Sequence, residues 1–209
     1  MKKKLEIKEW NRREHFEFFK QFDNPYYGVT VQVDCSIAYV KAKALGIPFY
    51  TYYLHKCLIA VNSVENMRYR IEEGEVWVYD YVDASATILR EDKTFGFSHM
   101  RFEADLISFN QVVKMEIERV KNITGLFTTA RIPNVVHFSA LPWVDFSSIS
   151  QASHSKFADS CPKLSIGKLV DTDGKKTMSI ALHVHHALVD GYHVGQFYEE
   201  LQRLMNEAQ

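Results

Sequence analysis

Residues 178–193 read MSIALHVHHALVDGYH and contain four of the nine histidines of the chain. Apolar residues alternate with other residues along its first half, which predicts a strand with one buried face. These apolar residues are Met178, Ile180, Leu182 and Val184. His186 continues their phase, whereas His183 and His185 lie on the opposite face. Residues 187–191 then form a turn, and we expect the last helix to begin after it.

Helices and strands mix on both sides of this stretch. Apolar residues at helical spacing predict helices over 12–22, 36–45, 48–64, 108–122 and 194–205. In the fourth of these, Val112 and Met115 are in phase with a buried face, with Val113 and Val120 as further candidates. Alternating valines predict a strand over 28–34, and glycine-containing turns predict two hairpins, which pair 68–71 with 76–80 and 164–170 with 176–185. We therefore expect one domain over residues 1–209, an α/β (α+β) two-layer sandwich.

The composition limits the classes of function. Lys and Arg number 25 and Asp and Glu 26 in 209 residues, which gives a formal net charge of −1. Affinity for nucleic acid comes largely from a cationic surface, so this balance argues against a nucleic-acid binder. Hydrophobic residues at 46% and charged residues at 24% are typical of a globular chain rather than a disordered one.

The cysteines and the N-terminus indicate the compartment. Cys35, Cys57 and Cys161 are odd in number and have no CxxC spacing, which disfavours a disulfide framework or a zinc knuckle. The basic residues 2–4 precede no apolar run of the kind found in a signal peptide. No segment approaches the roughly 18 apolar residues of a membrane span. We expect a soluble protein of a reducing cytoplasm with no membrane partner.

His186 is the leading candidate for chemistry. A histidine at the end of a buried strand row is partly removed from water, which favours the neutral imidazole that a general base requires. Asp190 could orient that ring or pair with an arginine. Three other interpretations stay open: a core histidine bound to backbone, a metal site on His183 and His185 that lacks further ligands at suitable spacing, and a simple turn at Asp190.

Residues 185–191, HHALVDG, resemble the HHxxxDG signature of the CoA-dependent acyltransferase superfamily. The whole chain resembles more specifically the chloramphenicol acetyltransferase family. Three further stretches carry this resemblance in the same order: WNRREHFEF at 10–18, TVQVD at 30–34 and FSALPWVDF at 138–146. With the helix that follows the HHxxxDG stretch, these anchors run from residue 10 to about residue 204 and so span nearly the whole chain.

The resemblance implies a mixed β-sheet with helices on one side, and a homotrimer with active sites between subunits. It implies acetyl transfer from acetyl-CoA, a co-substrate, to a hydroxyl of chloramphenicol, with no tightly bound cofactor and no metal. His186 would be the general base and Ser139 the donor to the oxyanion, with Arg12 and Asp190 as an ion pair that shapes the site. The residues implied to bind substrate or CoA are Phe19, Tyr27, Phe127, Trp143, Ser165 and Lys168.

The chain departs from the family pattern around the acceptor. Pro25 stands where a cysteine is usual, Asp23 where an apolar residue is usual, and His137 replaces an asparagine two residues before Ser139. Two alternatives to chloramphenicol acetylation therefore remain: a related acyltransferase for a different small hydroxylated acceptor, and an inactive homologue that only binds a small molecule.

Overall fold

The computed structural model describes residues 1–130, 132–152 and 159–207. Its ten strands are β1 (Lys2–Lys4), β2 (Tyr26–Asp34), β3 (Tyr69–Glu72), β4 (Glu75–Tyr79), β5 (Asp83–Leu89), β6 (Phe95–Phe97), β7 (Val135–Ala140), β8 (Lys163–Ile166), β9 (Val170–Thr172) and β10 (Lys175–His185). The main sheet has the order β2-β10-β8-β7-β5-β6, with β9 pairing the start of β10. Only the β5–β7 and β7–β8 pairs are parallel among these, so the sheet is mixed. A small antiparallel sheet has the order β1-β4-β3.

The same described ranges contain five α-helices: α1 (Arg13–Phe19), α2 (Ser36–Ala44), α3 (Phe49–Ser63), α4 (Leu106–Lys121) and α5 (Gly191–Met205). Short 3-10 turns lie at Ile7–Glu9 and Glu65–Arg68. Helix α2 ends before Gly46, whose φ of +64° suits the left-handed residue that commonly follows a helix. Within the described ranges, no helix is long and apolar enough to cross a bilayer.

The register gives the main sheet one apolar and one polar face. A row across the apolar face consists of Val29, Leu182, Leu164, Phe138 and Ala86. It shares one core with buried residues of the helices, among them Leu54, Phe109 and Phe197. On the polar face, one row consists of Gly28, His183, Lys163, His137 and Ser85, and the next contains Thr30, Ala181, Ser165 and Ser139. The predicted α/β sandwich with a mixed sheet is therefore confirmed.

Two local predictions were wrong. Met115 is 74% exposed, because α4 buries the stripe through Phe109, Val113 and Val120 and Met115 projects from the opposite side. The predicted strand 164–170 breaks after Ile166, since the backbone N–H of Lys168 donates to the carbonyl of Val144 (2.8 Å).

Candidate active site

His186 follows the last residue of β10 and is held by aromatic rings. Its ring stacks on Phe19, with centroids 3.8 Å apart and planes 7° from parallel, and its centroid lies 4.5 Å from that of Tyr27. The backbone N–H of His186 donates to the carbonyl of Pro25 (2.8 Å). The ring is half-buried, with Nδ1 enclosed and unpaired among the described residues. Nε2 is therefore the nitrogen through which this imidazole can act on a ligand.

The turn after His186 is closed by backbone and side-chain hydrogen bonds. The N–H groups of Leu188 and Val189 both donate to the carbonyl of His185 (2.9 and 3.0 Å). Asp190 is the N-cap of α5, and its carboxylate accepts from the N–H of Tyr192 (3.1 Å). An aspartate cap satisfies a backbone donor that the helix itself cannot satisfy, and it favours the start of the helix at this position. The position of His186 is thus fixed from both sides.

Arg12 joins the N-terminal segment to this turn. Its Nη1 donates to Oδ2 of Asp190, and the two side chains are 11% and 29% exposed. Burial is the largest single influence on the pKa of Asp190 and would raise it, but the charges of Arg12 and His193 together with hydrogen bonds from Arg12 and Tyr192 lower that pKa. Nδ1 of His193 lies 2.8 Å from the other carboxylate oxygen and accepts the backbone N–H of Asp190 (3.2 Å). We call Arg12, Phe19, Tyr27, His186 and Asp190 the histidine half-site.

Ser139 and Ser165 are register partners on the polar face, in β7 and β8. Ser165 is fully buried and its hydroxyl accepts from Nε2 of Gln151 (2.7 Å). Ser139 is half-buried, near the end of β7. Trp143 is 70% exposed and Lys168 is exposed, and both lie in the loops that follow these two strands. We call Ser139, Trp143, Ser165 and Lys168 the serine half-site.

One chain does not bring the two half-sites together. Ala181 on β10 is level with Ser165 and Ser139, and His186 follows it by five residues. That separation is roughly 17 Å along the strand direction, with two strand spacings of about 5 Å each between β10 and β7. Tyr27, which holds His186, pairs with Val184 and so lies with the apolar face, whereas Ser139 lies on the polar face.

A cavity of about 1210 Å³ opens beside the polar face. Its wall includes Phe127, which is 79% exposed and packs near Phe97 with ring centroids 5.6 Å apart. It also includes His137 and Lys163. Ser139 follows His137 by two residues on the same face, a rise of about 7 Å. The predicted oxyanion donor therefore lies one strand period from the cavity wall.

His183 has a packing role in this structure. Its ring lies across Gly28, where a Cβ atom would fall 2.3 Å from its Nε2. The same nitrogen lies 3.1 Å from the carbonyl of Ile149, which ties the loop after β7 to β10. Burial lowers the pKa of His183, and it lowers that of His185 to about 4, so both rings are neutral at pH 7.

Among the described residues, His137, Asp159 and Cys161 form the one group of possible metal ligands whose donor atoms lie within 4.8 Å of one another. Nζ of Lys163 lies 3.4 Å from the Asp159 carboxylate, and this positive charge disfavours a cation there. Sequence reasoning singled out His137 but missed Asp159 and Lys163. Asp159 lies outside the strands, so no periodic sequence pattern predicts its contacts with His137 and Lys163.

Comparisons with known proteins agree over nearly the whole chain. A family model described as chloramphenicol acetyltransferase matches residues 2–202. The chain is 31% identical to chloramphenicol acetyltransferase 3 of Escherichia coli over 97% of this chain and 96% of that protein. It is 30% identical to chloramphenicol acetyltransferase of Proteus mirabilis over 98% of this chain and 94% of that protein.

Solved structures give the same result. The fold matches that of a chloramphenicol acetyltransferase with a TM-score of 0.92 and 29% identity, covering 99% of this chain and 100% of that one. The dihydrolipoamide acetyltransferase of Azotobacter vinelandii matches with a TM-score of 0.72 over 93% of this chain and 86% of that one. At 12% identity, this second likeness concerns the fold alone.

Proposed function

The chain belongs to the chloramphenicol acetyltransferase family, and on that premise we propose that it transfers the acetyl group of acetyl-CoA to a hydroxyl of chloramphenicol. Family membership makes it an acyltransferase. The observation that carries the proposal is the fixed, half-buried ring of His186, whose enclosed Nδ1 leaves Nε2 as the nitrogen that can act on a ligand. Acetyl-CoA is a co-substrate in this reaction and no tightly bound cofactor takes part.

The complete site forms between two copies of the chain. The histidine half-site of one subunit faces the serine half-site of its neighbour, in a homotrimer. Two observations support this arrangement: the half-sites lie near opposite ends of the strands, and their key side chains belong to opposite faces of the sheet. A closed ring of three subunits repeats the same contact three times, so every half-site finds a counterpart.

The chemistry follows from the two half-sites. Nε2 of His186 removes the proton of the acceptor hydroxyl while the oxygen attacks the thioester carbonyl. The hydroxyl of Ser139 donates to the oxyanion of the tetrahedral intermediate. When the carbon–sulfur bond breaks, the His186 proton passes to the CoA sulfur, which leaves as the thiol. A general base contributes about 10²–10⁴-fold, and one oxyanion donor about 10²–10³-fold.

The remaining residues of the two half-sites orient the imidazole of His186 or bind CoA and the acceptor. Phe19 and Tyr27 fix the imidazole, Trp143 and Lys168 offer an exposed aromatic ring and a cation to CoA, and Phe127 stands at the acceptor cavity. Ser165, buried beside Ser139 on the neighbouring strand, holds a polar group at the same level of the sheet. The cytoplasm is the proposed location, and the three cysteines, which are all buried and free, suit its reducing conditions.

A thiol-release assay tests this function. Acetyl-CoA and the purified protein, with and without chloramphenicol, should show CoA release that depends on the antibiotic. CoA release with another alcohol but not with chloramphenicol would support the acyltransferase activity and show that the acceptor is a different compound. No release with any alcohol, together with no binding of CoA, would contradict catalysis and leave a binding protein.

A further inference from the structure

Two cationic side chains face the cavity from neighbouring strands. His137 and Lys163 are register partners on β7 and β8, and both line the cavity. The carboxylate of Asp159 lies near both side chains: its Oδ2 is 3.6 Å from Nε2 of His137 and 3.4 Å from Nζ of Lys163. At the exposed rim, Lys20 and Asp23 have opposite charges and cancel.

His137 carries a positive charge at neutral pH. Burial alone would lower the pKa of His137, but its interactions with Asp159 and Cys161 raise it to about 9. Lys163 is 9% exposed and its Nζ lies 4.4 Å above the ring of Tyr26. Among the described residues of this wall, two positive charges therefore face one negative charge.

A third cation lies behind the same wall. Arg70 is 1% exposed, and its guanidinium donates to the carbonyls of Pro133 and Val135 (2.7 Å each) at the start of β7. Its hydrogen bonds within the described ranges go to carbonyls only, and no carboxylate there lies within 4.0 Å of it. Its charge therefore adds to the positive potential of the cavity wall.

The cavity can hold an aromatic acceptor as well as a charge. Its volume of about 1210 Å³ exceeds the range of about 300–1,000 Å³ that is usual for small-molecule sites, so it has room for an aromatic ring. Phe97 and Phe127 supply apolar surface, and Tyr26 lies beneath Lys163. An anion that enters the cavity would stabilise the buried excess of positive charge. The hydrogen bonds between its oxygen atoms and the cationic side chains would be charge-assisted.

We infer that the enzyme accepts, besides chloramphenicol, hydroxylated aromatic compounds that carry a carboxylate, with Lys163 and His137 binding that carboxylate. The assignment of such compounds as acetyl acceptors rests on the proposed function. The binding of the carboxylate depends only on the cavity.

Two matched probes separate charge from shape: 4-(hydroxymethyl)benzoate and 4-(hydroxymethyl)benzamide have the same ring and hydroxyl and differ in charge. Titration calorimetry without acetyl-CoA gives their Kd values. We expect the benzoate to bind about tenfold more tightly, the order of one charge-assisted hydrogen bond. Lys163→Met should abolish this preference, and His137→Asn should weaken it. Lys43→Met removes an exposed lysine from α2 and should leave the preference intact.

Equal Kd values for the two probes, or an undiminished preference in both cavity variants, would overturn the anion site. The His137→Asn variant decides the matter if Lys163→Met does not fold. Displacement of bound benzoate by saturating CoA would assign the cations to CoA and also overturn the inference.

The thiol-release assay tests the second step with the same probes and with chloramphenicol. A higher kcat/KM for the benzoate than for the benzamide supports the inference. Acetylation of chloramphenicol but not of the benzoate would overturn the acceptor assignment while the proposed function stands. If no acceptor releases CoA, the proposed function fails, and the Kd values still decide whether the carboxylate site exists.

Discussion

His186 has an orientation that is fixed by the stacking of its ring on Phe19. Replacing it by alanine removes the proposed base, and we expect kcat to fall at least 10³-fold, within the range for loss of a general base. The ring is half-buried at the end of a strand, so the melting temperature should change little. Thiol release and circular dichroism measure the two effects. His15→Ala, on the exposed side of α1, is the control, and a His186→Ala enzyme with more than a tenth of the activity would refute the assignment.

Ser139 is expected to act on the transition state alone. In Ser139→Ala, kcat should fall about 10²–10³-fold with KM nearly unchanged, because an oxyanion donor binds the intermediate more strongly than the ground state. Steady-state kinetics with both substrates separate the two constants. Ser148→Ala, at an exposed position of the following loop, should retain full activity. A rise in KM with unchanged kcat would make Ser139 a binding residue.

At this scale the sequence predicts the position of His186 but not its surroundings. Strand phase and the HHxxxDG spacing single out the residue, since both depend on near neighbours in the chain. The stacking of its ring on Phe19 depends on how α1 packs beside β10, and no local pattern encodes that contact. The same holds for Asp159, which lies in a loop and meets His137 only in the folded sheet.

At the scale of elements, the Arg12–Asp190 pair connects the start of α1 to the N-cap of α5. Arg12→Val leaves a partly buried carboxylate without its cation, which costs about 1–3 kcal/mol. For a chain of this length, each kcal/mol lowers Tm by roughly 2–4 °C. Activity should fall with Tm, because the cap helps to fix the turn that holds His186. Thermal melts alongside thiol release test this, with Arg13→Val, one residue away and exposed, as the control.

An unchanged melting temperature in Arg12→Val would remove the stabilising role. Full activity at the lowered Tm would instead separate the ion pair from catalysis.

The pairing of β7 with the loop before β8 should depend on pH. The pKa of His137 is raised to about 9 in the folded chain, so its protonated form stabilises the fold. That contribution is fully present below its unfolded pKa of about 6.5 and is lost as the pH rises through about 9. Urea unfolding between pH 6 and pH 10 should show a loss of stability on the alkaline side, and the loss should shrink in His137→Asn. Identical pH profiles for the two proteins would exclude this ion pair as the cause.

Helices and hairpins were predictable where the pattern is long or the turn is specific. The stripe of α5 and the turn before β10 are examples, since each depends on residues within one element. The break after Ile166 was not predictable, because the Val144 carbonyl that takes the N–H of Lys168 comes from a distant loop. The prediction for Met115 was wrong because a short apolar pattern fits two helical phases. In the folded chain α4 buries the phase of Val113 and Val120 and leaves that of Met115 exposed.

At the scale of the whole molecule, the order of strands decides how the site can be assembled. Strand β10 runs antiparallel to β8, so the end that carries His186 lies away from the ends of β7 and β8 that carry the serine half-site. The sequence alone could not predict this separation, since it follows from the register. A second copy of the chain is therefore the proposed source of the missing half.

Two inactive variants should restore activity when they share a trimer. His186→Ala keeps the serine half-site and Ser139→Ala keeps the histidine half-site, so an interface with one intact half from each chain has a complete site. Random mixing of equal amounts gives about one quarter of interfaces this arrangement in a ring of identical contacts. Purification of co-expressed chains through two affinity tags keeps only the mixed trimers, each with one complete site in three, so thiol release should reach about a third of the wild-type activity. Mixed trimers as inactive as either parent would mean that each chain holds its own site.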